Sequence, residues 1–246
     1  MELRIPKSIV IDSSNGWCPG CGHGIVARIL AEAIEAVGQR ENTILVEDVA
    51  CGHFQTPVLE YNNLNCAHGR TIVAAAGVKR AQPTSLVVGH CGDGAAYSIG
   101  MESTIHSALR NENILALITN NSVFGMTGGQ MSPASLPDQK TTSSPYGRDI
   151  NKQGRPFDVV KTLKEYDIAY LARGSVSTPA NVIKTEKMIQ KALEKQLRGE
   201  GFCLVEILSP CPTNWNLDPV DALKFMREHQ EKYFEVGEFI DKGGEA

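Results

Sequence analysis

The sequence predicts a three-layer α/β/α domain built on a mostly parallel sheet, and three observations carry that expectation. Short apolar runs alternate along the chain with longer stretches of helical periodicity, the order expected of parallel strands joined by crossover helices. The 246 residues are 42% hydrophobic and 21% charged, enough apolar material for one buried core without disulfide staples. The alternation breaks once, over 121–156, in a Gly-, Ser-, Thr- and Pro-rich stretch too long for an ordinary connection.

In residues 23–37, apolar side chains fall at 25, 26, 29, 30, 33, 34 and 37, which predicts a helix capped by Gly38. "TILVEDV" (43–49) reads as a strand, and "TIVAAAGVKRAQ" (71–82) as a helix stopped by Pro83. "SLVVGH" (85–90) is a strand, 95–110 a helix and "NILALIT" (113–119) a strand. Beyond the irregular segment come a strand at 168–174, a helix from Pro179 to about Leu197 and a strand at 202–208. Thr178 before Pro179 is a favourable N-cap. The expectation is a sheet of about five core strands in one domain, 1–246, with its core at about 16–216 and a C-terminal tail from about 217. The 121–156 segment leaves a core strand directly and reads as a functional loop.

A net charge of −4 gives no electrostatic case for nucleic acid, and no apolar run reaches the length of a membrane span. The N-terminal residues lack the pattern of a secretory signal, so a cytoplasmic location is expected. Seven cysteines, an odd number in a reducing compartment, read as core filler, metal ligands or catalytic groups.

The strand at 85–90 runs into "CGDGAAYSIG". Gly92 and Gly94 let the backbone turn sharply beside a ligand, Asp93 sets a carboxylate at the strand's carboxyl end, and the next helix aims its free N–H groups there. A diphosphate suits that helix end but is repelled by the carboxylate, so a cation belongs between them, and Mg²⁺ takes this mixed oxygen set. One helix and one strand later, "NNSVFG" returns Asn121 to the same sheet edge. Its amide oxygen and the Val123 carbonyl are further hard ligands. The spacing of Gly-Asp-Gly and Asn-Asn resembles the thiamine diphosphate signature.

"WCPGCGHG" supplies Cys18 and Cys21, with no convincing strand before them to suggest a thioredoxin-like motif. Cys51 ends the first strand and Cys211 follows the last, so both fall at the cofactor's sheet edge; Cys66 is a further candidate, and Cys91 and Cys203 read as core. Four thiolates suit either Zn²⁺ or a 4Fe–4S cluster.

From "WCPGCGHG" through "CAHGRTIVAAAGVKRAQP", "GDGAAYSIG", "NNSVFGMTGGQMSP", "KTTSSPYGRD" and "ARGSVSTPAN" to "LSPCPTNWN", the chain resembles the β subunit of the 2-oxoacid:ferredoxin oxidoreductases. The resemblance implies Mg²⁺ on Asp93, Asn121 and Val123, and one 4Fe–4S cluster on Cys18, Cys21, Cys51 and Cys211, with Cys66 ranked below Cys51. It places Val49, Ala50, Cys51, Gly52 and His68 against thiamine diphosphate, with Gly92, Gly94, Ala95, Gly125 and Met126. The implied reaction is CoA-dependent oxidative decarboxylation of a 2-oxoacid to acyl-CoA and CO₂, with electrons leaving through the cluster to ferredoxin.

No second α/β domain is present to supply the activating glutamate of thiamine enzymes, so an α subunit with the pyrimidine-binding domain is expected, and small ferredoxin-like subunits are possible companions. Some members of the 2-oxoglutarate type carry lysine in "GLTKGQ", where this chain has Gly128; that weakens, without excluding, 2-oxoglutarate against a branched-chain 2-oxoacid, and Arg70, Lys140 and Arg148 remain as basic groups. The rival readings are a non-redox thiamine decarboxylase or synthase subunit with structural zinc, and a non-enzymatic zinc-binding assembly subunit.

Overall fold

The computed structural model describes residues 5–243. Its strands are β1 (Thr43–Asp48), β2 (Asn62–Cys66), β3 (Leu86–Gly92), β4 (Leu115–Asn120), a small hairpin β5 (Val123–Phe124) and β6 (Gln130–Met131), β7 (Tyr170–Ser175), β8 (Cys203–Leu208) and β9 (Gly237–Asp241). The helices are α1 (His23–Ala36), α2 (Thr71–Ala81), α3 (Met101–Leu109), α4 (Ile150–Gln153), α5 (Val159–Leu163), α6 (Pro179–Leu197), α7 (Pro212–Trp215), α8 (Pro219–Phe225) and α9 (Glu231–Tyr233).

Seven strands form the main sheet in the order β2-β1-β3-β4-β8-β7-β9. All neighbours are parallel except β7 and β9. The five inner strands are the apolar runs expected from sequence, buried almost throughout. The sheet exceeds the expected five because neither edge strand carries the long apolar run of the inner strands. β2, "NNLNC", is largely exposed and has neither an apolar run nor alternation. β9 lies in the expected C-terminal tail, which is built into the fold: Ala222, Met226, Gln230 and Phe234 are fully buried.

Successive strand residues face opposite sides of a sheet. A Cβ on Gly89 would meet Ile72 and Ala75 of α2, whereas the His90 ring lies 6.3 Å from that of His23 in α1. Helices therefore cover both faces. α6 packs beside α1, and α3 beside α2. The Thr178 hydroxyl caps α6 by accepting from the Asn181 N–H at 3.2 Å, with Pro179 in the first turn. Gly38, at φ +70°, follows the C-terminus of α1 in the left-handed conformation that favours glycine.

The connection after β1 leads outward to β2, and the chain then crosses back to β3 on β1's other side. The β1/β3 boundary is thus a topological switch point, where open α/β sheets bind ligands beyond the carboxyl ends of the strands. Among the described residues, no helix is long and apolar enough to cross a membrane.

Candidate cofactor and metal site

A cavity of about 260 Å³ opens at that switch point. Its walls are the turns after β1, β3 and β4. Val49, Ala50, Cys51 and Gly52 come from the first, Gly92, Asp93, Gly94 and Ala95 from the second, and Asn121, Val123, Gly125 and Met126 from the third. His68 completes the expected lining. His23, Phe124 and Thr127 also line the cavity and were not expected there.

Asp93 is 1% exposed. Its Oδ1 accepts the Asn121 N–H at 3.3 Å, and its Oδ2 accepts the Ser132 hydroxyl. Burial pushes its carboxyl up to about 7, against those two hydrogen bonds and with the Glu206 charge adding to the rise. A cation at this carboxylate would offset the cost of burying it. Asn121 Oδ1 accepts the Val123 N–H at 3.3 Å, closing a tight turn. Ser122, between them, is fully buried at φ +59°, a conformation costing a non-glycine residue about 1–2 kcal/mol. The strain is held from three sides: the Ser122 N–H donates to Asn120 Oδ1, the Ser135 hydroxyl donates to the Ser122 carbonyl, and Gln230 Nε2 donates to the Ser122 hydroxyl.

Neither Gly92 nor Gly94 takes the left-handed conformation of a sharp turn. Gly94 has φ −61°, and Gly92 is not among the positive-φ residues. A Cβ on Gly94 would instead lie 2.4 Å from the Phe124 ring, so its bare backbone makes room for packing; at Gly92 the nearest such atom is 3.8 Å away. The following helix also differs from expectation. It opens with a π-helical turn over Ala95–Ile99 before α3, and the Gly100 N–H donates to the Ala95 carbonyl at 2.8 Å. The Gly69 turn crowds this spot, where a Cβ on Gly100 would lie 2.4 Å from the Gly69 carbonyl oxygen.

The irregular 121–156 segment folds back on a buried Arg148. Arg148, held in reserve for a second substrate carboxylate, is 5% exposed and donates to the carbonyls of Ser132, Pro133, Ser135, Gln153, Gly154 and Arg155. Its donors bind the loop together, which removes it as a substrate clamp. Arg70 pairs with Glu102, and Lys140 is exposed. Among the described residues, no Lys or Arg lines the cavity.

The thiols converge on the same edge. Cys51 follows β1 and Cys211 follows β8, on either side of Asp93 and Asn121 in the strand order. The Cys18–Cys21 loop reaches them through the Gly22 N–H, which donates to the Pro210 carbonyl at 3.3 Å. Burial pushes the Cys21 thiol up to about 11, with Cys211 and Cys18 adding to the rise. Burial pushes Cys51 up to about 12, with Cys21, Cys211 and Cys18 adding. The four thiols thus lie within electrostatic reach of one another. Among the described residues, no three His, Cys, Asp or Glu side chains are drawn together tightly enough to hold a metal ion. The donor set nonetheless suits a soft, highly charged group that would convert the thiols to thiolates on binding. Asn214 Nδ2 already donates to Cys211 Sγ at 3.3 Å. Cys66 lies elsewhere, its thiol donating to the Glu47 carbonyl.

Sequence reasoning passed over several positioning groups. Asp48, in β1, is fully buried and touches His68 Nδ1 at 3.1 Å. Asn214 also donates to the Gly125 carbonyl at 2.9 Å, and Trp215 Nε1 to the Asn121 carbonyl at 3.0 Å, joining the thiol side to the loop after β4. Beneath lies a buried network: Glu206 accepts from Arg173, from the Tyr97 hydroxyl at 2.8 Å and from Asn120 Nδ2 at 3.0 Å. A charge inside each of two apolar strands, "YLARGS" and "CLVEIL", was the legible signal, since buried charges require partners.

Such a site on such a sheet defines a diphosphate-binding α/β enzyme unit, and residues 50–207 match the family described as thiamine pyrophosphate enzyme, C-terminal TPP binding domain. The chain is 37% identical over 231 residues to the ketoisovalerate oxidoreductase subunit VorA of Methanothermobacter marburgensis, covering 94% of this chain and 48% of that one. It is 35% identical over 213 residues to the 2-oxoglutarate synthase subunit KorB of Archaeoglobus fulgidus, covering 87% and 76%. The structure of 2-oxoglutarate:ferredoxin oxidoreductase from Magnetococcus marinus superposes with a TM-score of 0.76 at 28% identity, covering 93% of this chain and 74% of that one. The chain belongs to the β-type subunits of the 2-oxoacid:ferredoxin oxidoreductase family. It spans about half the length of the ketoisovalerate relatives it matches.

Proposed function

We propose that this chain is the diphosphate-binding and electron-exporting part of a 2-oxoacid:ferredoxin oxidoreductase. The reaction is CoA-dependent oxidative decarboxylation of a 2-oxoacid to acyl-CoA and CO₂, with ferredoxin as electron acceptor. The observation that carries the reading is the meeting of Asp93 and Asn121, brought from the ends of two adjacent strands to one wall of the switch-point cavity. The Asp93 carboxylate, the Asn121 amide oxygen and the Val123 carbonyl would hold Mg²⁺, and through it the diphosphate. Bound there, thiamine diphosphate supplies the nucleophilic carbon and the electron sink for loss of CO₂. The protein's share is placement: Ser132 fixes the Asp93 carboxylate, Trp215 the Asn121 backbone, and Asp48 the His68 ring. Cys18, Cys21, Cys51 and Cys211 would hold one 4Fe–4S cluster beside the cavity, as the one-electron exit.

The substrate is a 2-oxoacid with an uncharged side chain, of the branched-chain kind. Among the described residues no Lys or Arg lines the cavity, and Arg148 is committed to loop carbonyls, which favours an uncharged side chain over a second carboxylate. The remainder of the active site, including the glutamate that activates the cofactor, comes from a partner α subunit.

Anaerobic purification with co-purifying subunits tests the reading. Thiamine diphosphate, magnesium, iron and acid-labile sulfide should all be present, and turnover of 2-oxoisovalerate should exceed that of 2-oxoglutarate, pyruvate and arylpyruvates. A colourless protein holding zinc would instead support a non-redox thiamine enzyme.

A further inference from the structure

His23 touches both halves of the site. It opens α1, is 3% exposed, and lines the cofactor cavity. Its Nδ1 lies 3.3 Å from Cys21 Sγ. The ring is also confined from behind, with its centroid 6.3 Å from that of His90 and the planes tilted by 39°. His90 is itself anchored, with Nε2 2.8 Å from the Thr119 hydroxyl. His23 is therefore a fixed wall between the cavity and one of the thiols.

A thiolate ligand carries no hydrogen and can only accept. Once Cys21 ligates a metal, the contact is favourable only with the proton on Nδ1. Hydrogen bonds to cluster sulfurs are among the levers that set reduction potential, because a donor offsets the negative charge gained on reduction. Cys211 receives a comparable donor from Asn214 at 3.3 Å.

We propose that His23 is a positioning residue whose Nδ1–H donates to Cys21 Sγ and raises the reduction potential of the cluster, so that electrons leaving the cofactor cavity are accepted there. This rests on the four-cysteine cluster of the proposed function.

The test is an EPR-monitored redox titration of the anaerobically purified protein with its accompanying subunits. His23→Leu removes the donor and should shift the cluster midpoint to a more negative potential at unchanged iron content. His23→Asn, whose amide retains an N–H near the Nδ1 position, should restore most of that shift. An unchanged midpoint in an iron-replete His23→Leu protein overturns the proposal. If His23→Leu loses its iron, wild type decides: with ¹⁵N-histidine labelling, pulsed EPR of the reduced cluster should show coupling to one imidazole nitrogen, and absence of coupling overturns it. A wild-type protein with no reducible cluster would instead remove the four-cysteine assignment itself.

Discussion

Ser132 carries no spacing signal, yet its hydroxyl donates to the buried Asp93 carboxylate, the kind of charge-assisted bond worth about 1.5–3 kcal/mol. Ser132→Ala should therefore weaken Mg²⁺–thiamine diphosphate binding by about tenfold or more, read by calorimetry, and an unchanged affinity would show that Asp93 does not need it. The meeting of Asp93 and Asn121 was legible because one helix and one strand separate them in sequence, which returns the chain to the same sheet edge; Ser132 reaches them only through the folding back of the loop. His90 gives a pH prediction. Burial, and then the neighbouring His23, push it down to about 3, so the folded chain takes up a proton there less readily than the unfolded chain, whose histidine titrates near 6.5. Its contribution to stability is complete above the unfolded value and is lost as pH falls through the folded one. The melting temperature should fall as pH is lowered from 7 to 5, less steeply in His90→Gln, and parallel slopes would exclude His90 as the cause.

The inner strands and long helices were legible because each buries a periodic or continuous apolar face. β2 and β9 were not, because an edge strand is held by backbone pairing, and "NNLNC" offers no side-chain pattern to read. The 121–156 segment was recognisable as a long irregular loop leaving β4, but not its internal bonding, which depends on Arg148 satisfying carbonyls far apart in sequence. Arg148→Leu removes the side-chain donor to the buried Ser135 carbonyl, while Ser132 and Pro133 keep their backbone N–H donors, and should cost about 1–3 kcal/mol. Chemical denaturation reads that loss, and a variant as stable as wild type would mean the loop is held by other contacts.

Across the whole molecule, the cavity edge of the sheet and the core are one construction. Arg173 on β7, Glu206 on β8 and Asn120 on β4 form a buried chain of bonds beside the loop after β4, and Arg173 extends it to Asp158 at 2.7 Å. Glu206→Ala strands the guanidinium on one side and should destabilise the fold by about 3–5 kcal/mol, as removal of one partner of a buried pair does. Thermal unfolding checks this, and a loss below about 1 kcal/mol would mean the pair is solvated. The C-terminal segment belongs to the same construction, since Gln230 Nε2 donates to the Asn120 carbonyl at 3.1 Å and β9 pairs with β7. The central claim is that Asp93 binds the diphosphate through a metal while the cysteines act separately. Its most direct measurement is the thiamine diphosphate and iron content of purified wild-type and Asp93→Ala protein. The account predicts that Asp93→Ala loses the thiamine diphosphate and keeps the iron and its visible spectrum; thiamine diphosphate retained at the wild-type level would contradict it.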